Sequence, residues 1–397
     1  MSCSPWDSPI ESELNRLKDT HLFRERRVSR PIDATHIERN GRVLINFASN
    51  SYLGLTHHPR VIAAATEALQ REGAGSGAAP LISGYSPAHA ELEKTIAKWK
   101  GTEAAVILPS GYQANFALIQ TATAIGRLGK GVRFLIDKLS HASLIDAVQQ
   151  SGAPYRVIPH NGLSKLQRLL EDAPADQLQI VVTESVFSMD GDAADLNGLV
   201  RLNAEFQFML LLDEAHATGV FGPSGNGLAA ECGATGDVDA SVITFSKSLG
   251  TAGAAVCGSD LFCQMLVNHA RAYLFSTSPP PATMAATQAS IDVIQAEPQR
   301  IARLKLITQQ MREAIGQMGF TMPDGEAPII PLIFATEEAA LAAARQLDEN
   351  GLLAVAIRPP TVPRGSSRLR ITLCCEHSDS DLQRLCECLR KFPIKNP

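Results

Sequence analysis

Two apolar runs end on residues able to act on a bound ligand. LLLDEAHATG (210–219) is apolar up to Asp213, and His216 follows in the same turn. TFSKSLG (244–250) carries Lys247 and leads into the small-residue run GTAGAA, which leaves room for a bulky planar ligand. Ligands of open α/β sheets collect at the carboxyl edge, where these residues would stand. Taken singly, an acid at a strand end can cap a helix, and a lysine in a loop is usually a solvated charge. Together they fit one chemistry. A lysine amine forms an imine with an aldehyde once it sheds its proton, which burial and a nearby cation favour. A carboxylate paired with a pyridine nitrogen keeps that nitrogen protonated, so that the ring accepts electrons from a carbanion. The segment PSGYQAN (109–115) opens an apolar helix, whose free N–H groups attract an anion such as a phosphate. His141, in LSHASL just past RFLID, is placed to stack on a flat ring.

These residues require a particular scaffold. AAVILP (104–109), RFLID (133–137), YRVIPH (155–160), QIVVTES (179–185), FMLLLDE (208–214) and SVITFS (241–246) are short runs rich in Val, Ile, Leu or Phe. Helical spacing lies between them, as in Leu163, Leu166, Leu169 and Leu170. The alternation predicts βα units and a mostly parallel sheet covered on both faces. Ser86-Pro87 and Gly101 bracket a helix. Successive prolines in SPPPAT (278–283) mark a boundary. A long helical region (282–318), a strand (328–334), a helix (336–349), strands near 352–357 and 368–373, and a closing helix (378–391) then predict a smaller α+β domain. The expected division is an N-terminal arm (1–45), a large domain (46–280) and a small domain (281–397). The arm combines an amphipathic helix (Ile10, Leu14, Leu17, Phe23) with a short β segment, packed on the body.

The chain has 397 residues and a net charge of −5, and Arg24-Glu25-Arg26-Arg27 is its densest basic stretch, so no nucleic-acid footprint is expected. No apolar run approaches the ~20 residues of a membrane helix, and the N-terminus lacks the pattern of a secretion signal. A cytoplasmic enzyme is the expectation. The eight cysteines form no C-x-x-C pair and show no zinc-type spacing with His, so they read as small core residues and no metal is expected.

Eight ordered motifs resemble those of the α-oxoamine synthases, from about Leu22 to the final helix. They are NFASNSYLGLTHHP (46–59), GSGAAPLISGYSPAH (75–89), LSHASL (139–144), VVTESVFSMDGD (181–192), LDEAHATGVFGPSGNG (212–227), TFSKSLG (244–250), YLFSTSPPP (273–281) and IRPPTVPRGSSRLRITL (357–373). The resemblance implies an aminotransferase-like α/β fold with a mostly parallel, seven-stranded-type sheet in the large domain. It also implies the cofactor pyridoxal 5′-phosphate. Lys247 would then carry the cofactor as a Schiff base and move protons at Cα, and Asp213 would pair with the pyridine nitrogen. His216 and Ser188 would bond the ring-oxygen side, and His141 would stack on the ring. Backbone groups of Gly111 and Tyr112, with Thr244, would hold the phosphate. The family is a homodimer with shared sites, so the partner subunit's Ser276 and Thr277 would complete the phosphate cup. Arg370 would grip an amino acid carboxylate, and Arg24 and Thr361 would line the acyl side. The last motif and His160-Asn161 most resemble the branch that joins L-alanine to pimeloyl-CoA or a pimeloyl carrier protein in biotin biosynthesis. Glycine C-acetyltransferase is the alternative within the family. Ser51 and Pro80 depart from the family pattern, which leaves the acyl entrance less defined.

Two other motifs fit less well. Residues 73–78 (GAGSGA) match the dinucleotide fingerprint, but a helical pattern precedes them where a strand is required. Thr244-Phe-Ser-Lys247 resembles S-x-x-K hydrolases only faintly, because position 244 is Thr and the accompanying elements are absent.

Overall fold

The computed structural model describes residues 4–174 and 176–392, so Cys3 lies outside the described residues. Seven strands build the central sheet: β1 (Ala104–Leu108), β2 (Val132–Asp137), β3 (Tyr155–Ile158), β4 (Leu178–Glu184), β5 (Met209–Asp213), β6 (Ala240–Thr244) and β7 (Ala254–Gly258). Their spatial order is β1-β7-β6-β5-β4-β2-β3. Only β7 runs antiparallel to its neighbours, with Ala254 opposite Leu108 on one side and Thr244 on the other. The expected mostly parallel α/β sheet is therefore present. The seventh strand comes from AAVCG, whose small residues carry little strand preference alone; burial between two neighbouring strands overrides that propensity.

Alternating residues of these strands feed two cores, one on each face. Leu135, Val181, Leu212 and Ile243 pack on one side, and Phe134, Ile136, Val182 and Val242 on the other. Strands buried on both faces read as continuous apolar runs, which is why the inner parallel strands were legible; the edge strand β3 is mostly exposed. Ser86 caps the helix Pro87–Lys100 with a capping box completed by His89, and Gly101 ends it in the left-handed conformation (φ 71°).

The C-terminal part carries an antiparallel three-stranded sheet in which Arg368–Thr372 lies between Ile329–Ile333 and Val355–Ile357. The expected long helical region (282–318) is present as two helices, Pro281–Ala296 and Gln299–Gln317, because Pro298 cannot continue the first. The N-terminal helix, Asp7–Asp19, buries none of its residues, and Ile10 and Leu14 are exposed, so packing on the body begins only downstream of it. There Arg42–Asn46 pairs in parallel with Leu352–Leu353. Cys257, Cys263, Cys374, Cys375, Cys386 and Cys388 are buried free thiols, and Cys232 is half-buried.

One buried ion pair ties the helix Pro87–Lys100 to the turn beyond β5. Lys100 Nζ donates to Glu214 and to the Asn226 carbonyl, while the Ala229 N–H donates to Glu214 Oε1 at 3.0 Å. Their side chains are 3% and 0% exposed. Removing one partner strands the other in the core. Lys100→Ala should therefore lose about 3–5 kcal/mol in urea unfolding, whereas the paired replacement Lys100→Met/Glu214→Leu should lose far less.

Candidate active site

Four of the parallel strands each lead to a candidate site residue just past their carboxyl ends. β2 ends at Asp137 and leads to His141; β4 ends at Glu184 and leads to Ser188. β5 ends at Asp213 and leads to His216; β6 ends at Thr244 and leads to Lys247. β1 runs into the helix Gly111–Leu128, whose N-cap Ser110 accepts from the Gln113 N–H at 3.2 Å. A cavity of about 160 Å³ opens among Gly111, Tyr112, His141, Asp213, His216, Thr244 and Lys247, with Asn115 and Glu184 also in its wall.

Asp213 is buried and held by two donors. Asn115 Nδ2 gives to Oδ2 at 2.8 Å, and the Ala215 N–H gives to Oδ1 at 2.9 Å. Each carboxylate oxygen keeps a lone pair for a further donor. His216 Nδ1 lies 2.6 Å from the Tyr52 hydroxyl. Burial, then the charges of Lys247 and Arg370, push its pKa well below the ordinary value, so the ring is neutral. His141 Nδ1 accepts from the Ser143 N–H at 3.2 Å and lies 2.7 Å from Ser143 Oγ, which assigns the ring proton to Nε2. Burial lowers its pKa also, opposed by Asp213. Lys247 Nζ donates to Thr244 Oγ1 at 3.3 Å. Burial lowers the lysine pKa and Arg370 adds to that, while Asp213 and Glu184 oppose it. A larger share of free amine follows, as a nucleophilic lysine needs.

Arg370 sits on the neighbouring antiparallel sheet. Its Nε donates to the Ser188 carbonyl at 2.8 Å, and Nη1 donates to Asn50 Oδ1 at 3.0 Å and Thr372 Oγ1 at 3.1 Å. Nη2 is buried without a partner, an unmet donor suited to a carboxylate. Ser188 is buried, and its N–H reaches Glu184 Oε2 at 3.3 Å. Tyr112 lines the cavity, and its hydroxyl donates to Asp146 Oδ2 at 2.8 Å. Ser276 Oγ accepts from Gln113 Nε2 at 2.9 Å within the same chain, while Thr277 is exposed. Arg24 is exposed and donates to the Pro359 carbonyl at 3.1 Å, close to exposed Thr361. These two share a patch outside the cavity wall. Ser51 is buried with its Oγ 3.4 Å from Thr56 Oγ1, and Pro80 opens the tight turn Pro80–Gly84.

Asn115, Tyr52, Asn50 and Glu184 escaped the sequence reading. Glu184 stands beside Asp213 in the β4–β5 register. Burial first, then the Asp213 charge, push its pKa well above the carboxylate range. The only signal was its place at the end of an apolar run. Asn115 was visible as a polar residue on the first turns of an apolar helix.

The wall fits a planar, phosphorylated ring. A Cβ on Gly111 would stand 2.6 Å from Thr244 Cγ2, so only glycine lets the helix start lie against Thr244. Free N–H groups of that first turn face the phosphate end, and Asp213 supplies an acceptor at the other.

The sheet order and the lysine, aspartate and histidines at its carboxyl edge define an aminotransferase-like enzyme of fold type I. The profile described as aminotransferase class I and II matches residues 42–389. The chain belongs to that family and, within it, to the family of 8-amino-7-oxononanoate synthases. It is 39% identical over 377 residues to the 8-amino-7-oxononanoate synthase of Geobacter sulfurreducens, covering 94% of this chain and 95% of that one. To the synthase of Gluconacetobacter diazotrophicus it is 40% identical over 390 residues, covering 97% and 96%. Among solved structures, a Sphingomonas wittichii serine palmitoyltransferase superposes with a TM-score of 0.90 at 32% identity, covering 98% of this chain and 96% of that one. The Francisella tularensis 8-amino-7-oxononanoate synthase gives a TM-score of 0.74 at 24% identity over 88% and 97% of the chains, which speaks to the fold alone.

Gly111→Ala should force the helix start away from Thr244. Titration of the apoprotein with pyridoxal 5′-phosphate should show at least about tenfold weaker binding, in line with overpacking costs of 1–3 kcal/mol, while the fold is kept.

Proposed function

We propose that this chain is a pyridoxal 5′-phosphate-dependent acyltransferase that joins L-alanine to a pimeloyl thioester. The products are 8-amino-7-oxononanoate, carbon dioxide and the free thiol of CoA or of a carrier protein, a step of biotin biosynthesis. The observation that carries it is 39–40% identity to named 8-amino-7-oxononanoate synthases over nearly the whole chain. Glycine C-acetyltransferase is the less favoured alternative.

When bound, the cofactor supplies an aldehyde for imine formation and a protonated pyridine ring that draws electrons from the Cα bonds of the amino acid. Asp213 accepts from the ring nitrogen and, with Asn115 and Ala215 N–H holding it, stays oriented. His216 and Ser188 bond the ring-oxygen side, and His141 packs on the ring face. The Gly111 and Tyr112 N–H groups and the Thr244 hydroxyl hold the phosphate. Arg370 takes the alanine carboxylate on its unmet Nη2; its flat fork suits a planar anion better than lysine does. Lys247 Nζ would take the proton from Cα of the bound amino acid and later return one. Arg24 and Thr361 guide the acyl chain, with Arg24 facing the distal carboxylate.

The same proposal includes a cytoplasmic homodimer. The partner subunit's Ser276 and Thr277 would complete the phosphate cup, and exposed Phe275 and Ile82 nearby favour a covered surface there. No helix among the described residues is long and apolar enough to cross a membrane. The arm (1–45), large (46–280) and small (281–397) domains are proposed as the working division.

The test is turnover of the holoenzyme against alanine, glycine and serine, each with short, dicarboxylic and long acyl thioesters. Alanine with the pimeloyl donor should lead by at least about tenfold, the lower end of what one methylene is worth in a fitted pocket. A preference for glycine with an acetyl donor would overturn the assignment. Lys247→Ala should bind cofactor and fail in turnover.

Arg24→Ala gives a separate check on the acyl side. Catalytic efficiency with the pimeloyl donor should fall, while exchange of the alanine α-hydrogen should stay near normal. Equal loss in both, or loss in neither, would remove Arg24 from the acyl site.

A further inference from the structure

His160 takes no part in the chemistry above, yet it joins the two loops that frame the cavity. It follows β3, and its Nδ1 lies 3.3 Å from Asp137 Oδ1 and its Nε2 2.6 Å from Asp192 Oδ2. The ring stands edge-on to Phe187, with centroids 4.3 Å apart. Asp137 shapes the turn to His141 by accepting the Leu139 N–H at 2.8 Å and the Asn161 N–H at 2.9 Å. Asp192 belongs to the hairpin-like loop closed by the Val186–Ala193 bridge, in which the Phe187 N–H donates to the Asp192 carbonyl at 2.9 Å. That loop carries Ser188, whose carbonyl receives Arg370.

We propose that His160, as an imidazolium between Asp137 and Asp192, is a positioning residue that holds the His141 turn and the Ser188 loop at a fixed separation. It thereby keeps the ring-stacking imidazole and the carboxylate-gripping Arg370 in register for the reaction proposed above, on which this inference rests. Take the positive charge away and two carboxylates face each other across the width of one ring, so the loops spread. Burial opposes the charge, but the hydrogen bonds to Asp137 and Asp192 outweigh it and push the imidazole pKa up to about 10. The native value thus lies above the ordinary 6.5. Its stabilisation is present in full below the ordinary value and is lost as pH rises through the native one. Arg312, from the helix Gln299–Gln317, also interacts electrostatically with Asp192. It stays charged over the whole range, so it does not produce that pH dependence. Asn161 and Phe187 are uncharged.

The experiment is a double-mutant cycle on the holoenzyme with His160→Gln and Asp192→Asn. His160→Gln should lower kcat/KM for alanine by about tenfold and weaken the visible circular-dichroism band of the bound cofactor. Adding Asp192→Asn should restore most of both, because an amide pair bridges the loops without facing like charges; such contacts couple on this scale. A side chain that merely fills space gives the opposite result, with the double variant as poor as the sum of the singles, and that outcome overturns the proposal. Native activity and an unchanged band in His160→Gln overturn it as well. Should His160→Gln not fold, a histidine NMR titration of the native protein decides: His160 should remain protonated at pH 8, and a neutral ring there ends the proposal. Failure of the cofactor assignment looks different, since no visible band then appears in any variant.

Discussion

Burying a carboxyl group at the end of a strand demands donors, and the arrangement around Asp213 follows from meeting that demand. One donor is the backbone of its own turn, at Ala215. The other is Asn115, which the helix Gly111–Leu128 carries to the far side of the cavity. The same helix begins at Gly111, pressed on Thr244. Four residues of helix rise by about 6 Å, so a single rigid element fixes the spacing between an anion-binding end and an acceptor end. A ligand with a phosphate at one end and a basic ring nitrogen at the other meets a gauge already set by the backbone.

The charges around that gauge divide by environment. Asp213 has two donors, whereas Glu184, beside it in register, accepts one long bond and has an unpartnered Oε1. Burial, then the Asp213 charge, push the Glu184 carboxyl well above the ordinary carboxylate range, so the two neighbours differ in how readily they ionise. Burial lowers the His216 pKa as well, and the charges of Lys247 and Arg370 add to it by opposing a third cation in the same space. A lysine with a lowered pKa beside a fixed arginine is what imine exchange and carboxylate binding jointly require, and Arg370 serves both ends, since its charge helps to lower the lysine.

Most of the sheet and the residues at its edge were legible because a strand buried on both faces has no choice but to be apolar, and the first polar residue after it marks the rim. Asp213, His216, Lys247 and His141 were found in this way. β7 was not, because AAVCG owes its conformation to β1 and β6 rather than to its own residues. Glu184 closes an apolar run and Asn115 lies on the first turns of an apolar helix, but only a register and a helix turn bring them beside Asp213. The intrachain contact of Ser276 with Gln113 joins positions 163 residues apart, and no local pattern encodes it. The helical region over 282–318 was legible from its apolar periodicity, and Pro298 divides it into two helices.

The comparisons separate what the fold holds in common from what varies. A serine palmitoyltransferase superposes with a TM-score of 0.90 although the identity is only 32%. A backbone kept this closely between enzymes named for different substrates means that selectivity resides in side chains. Those facing the cavity are occupied with one another: Asp213 with Asn115, His216 with Tyr52, Arg370 with Asn50 and Ser188. Replacing any of them leaves an unsatisfied buried group, which costs about 1–3 kcal/mol. The patch at Arg24, Pro359 and Thr361 is under no such constraint, because Arg24 and Thr361 are exposed and a single main-chain hydrogen bond joins Arg24 to Pro359. Substitution there is cheap for the fold. On the function proposed above, a change of acyl partner made at that patch leaves the buried charged cluster untouched.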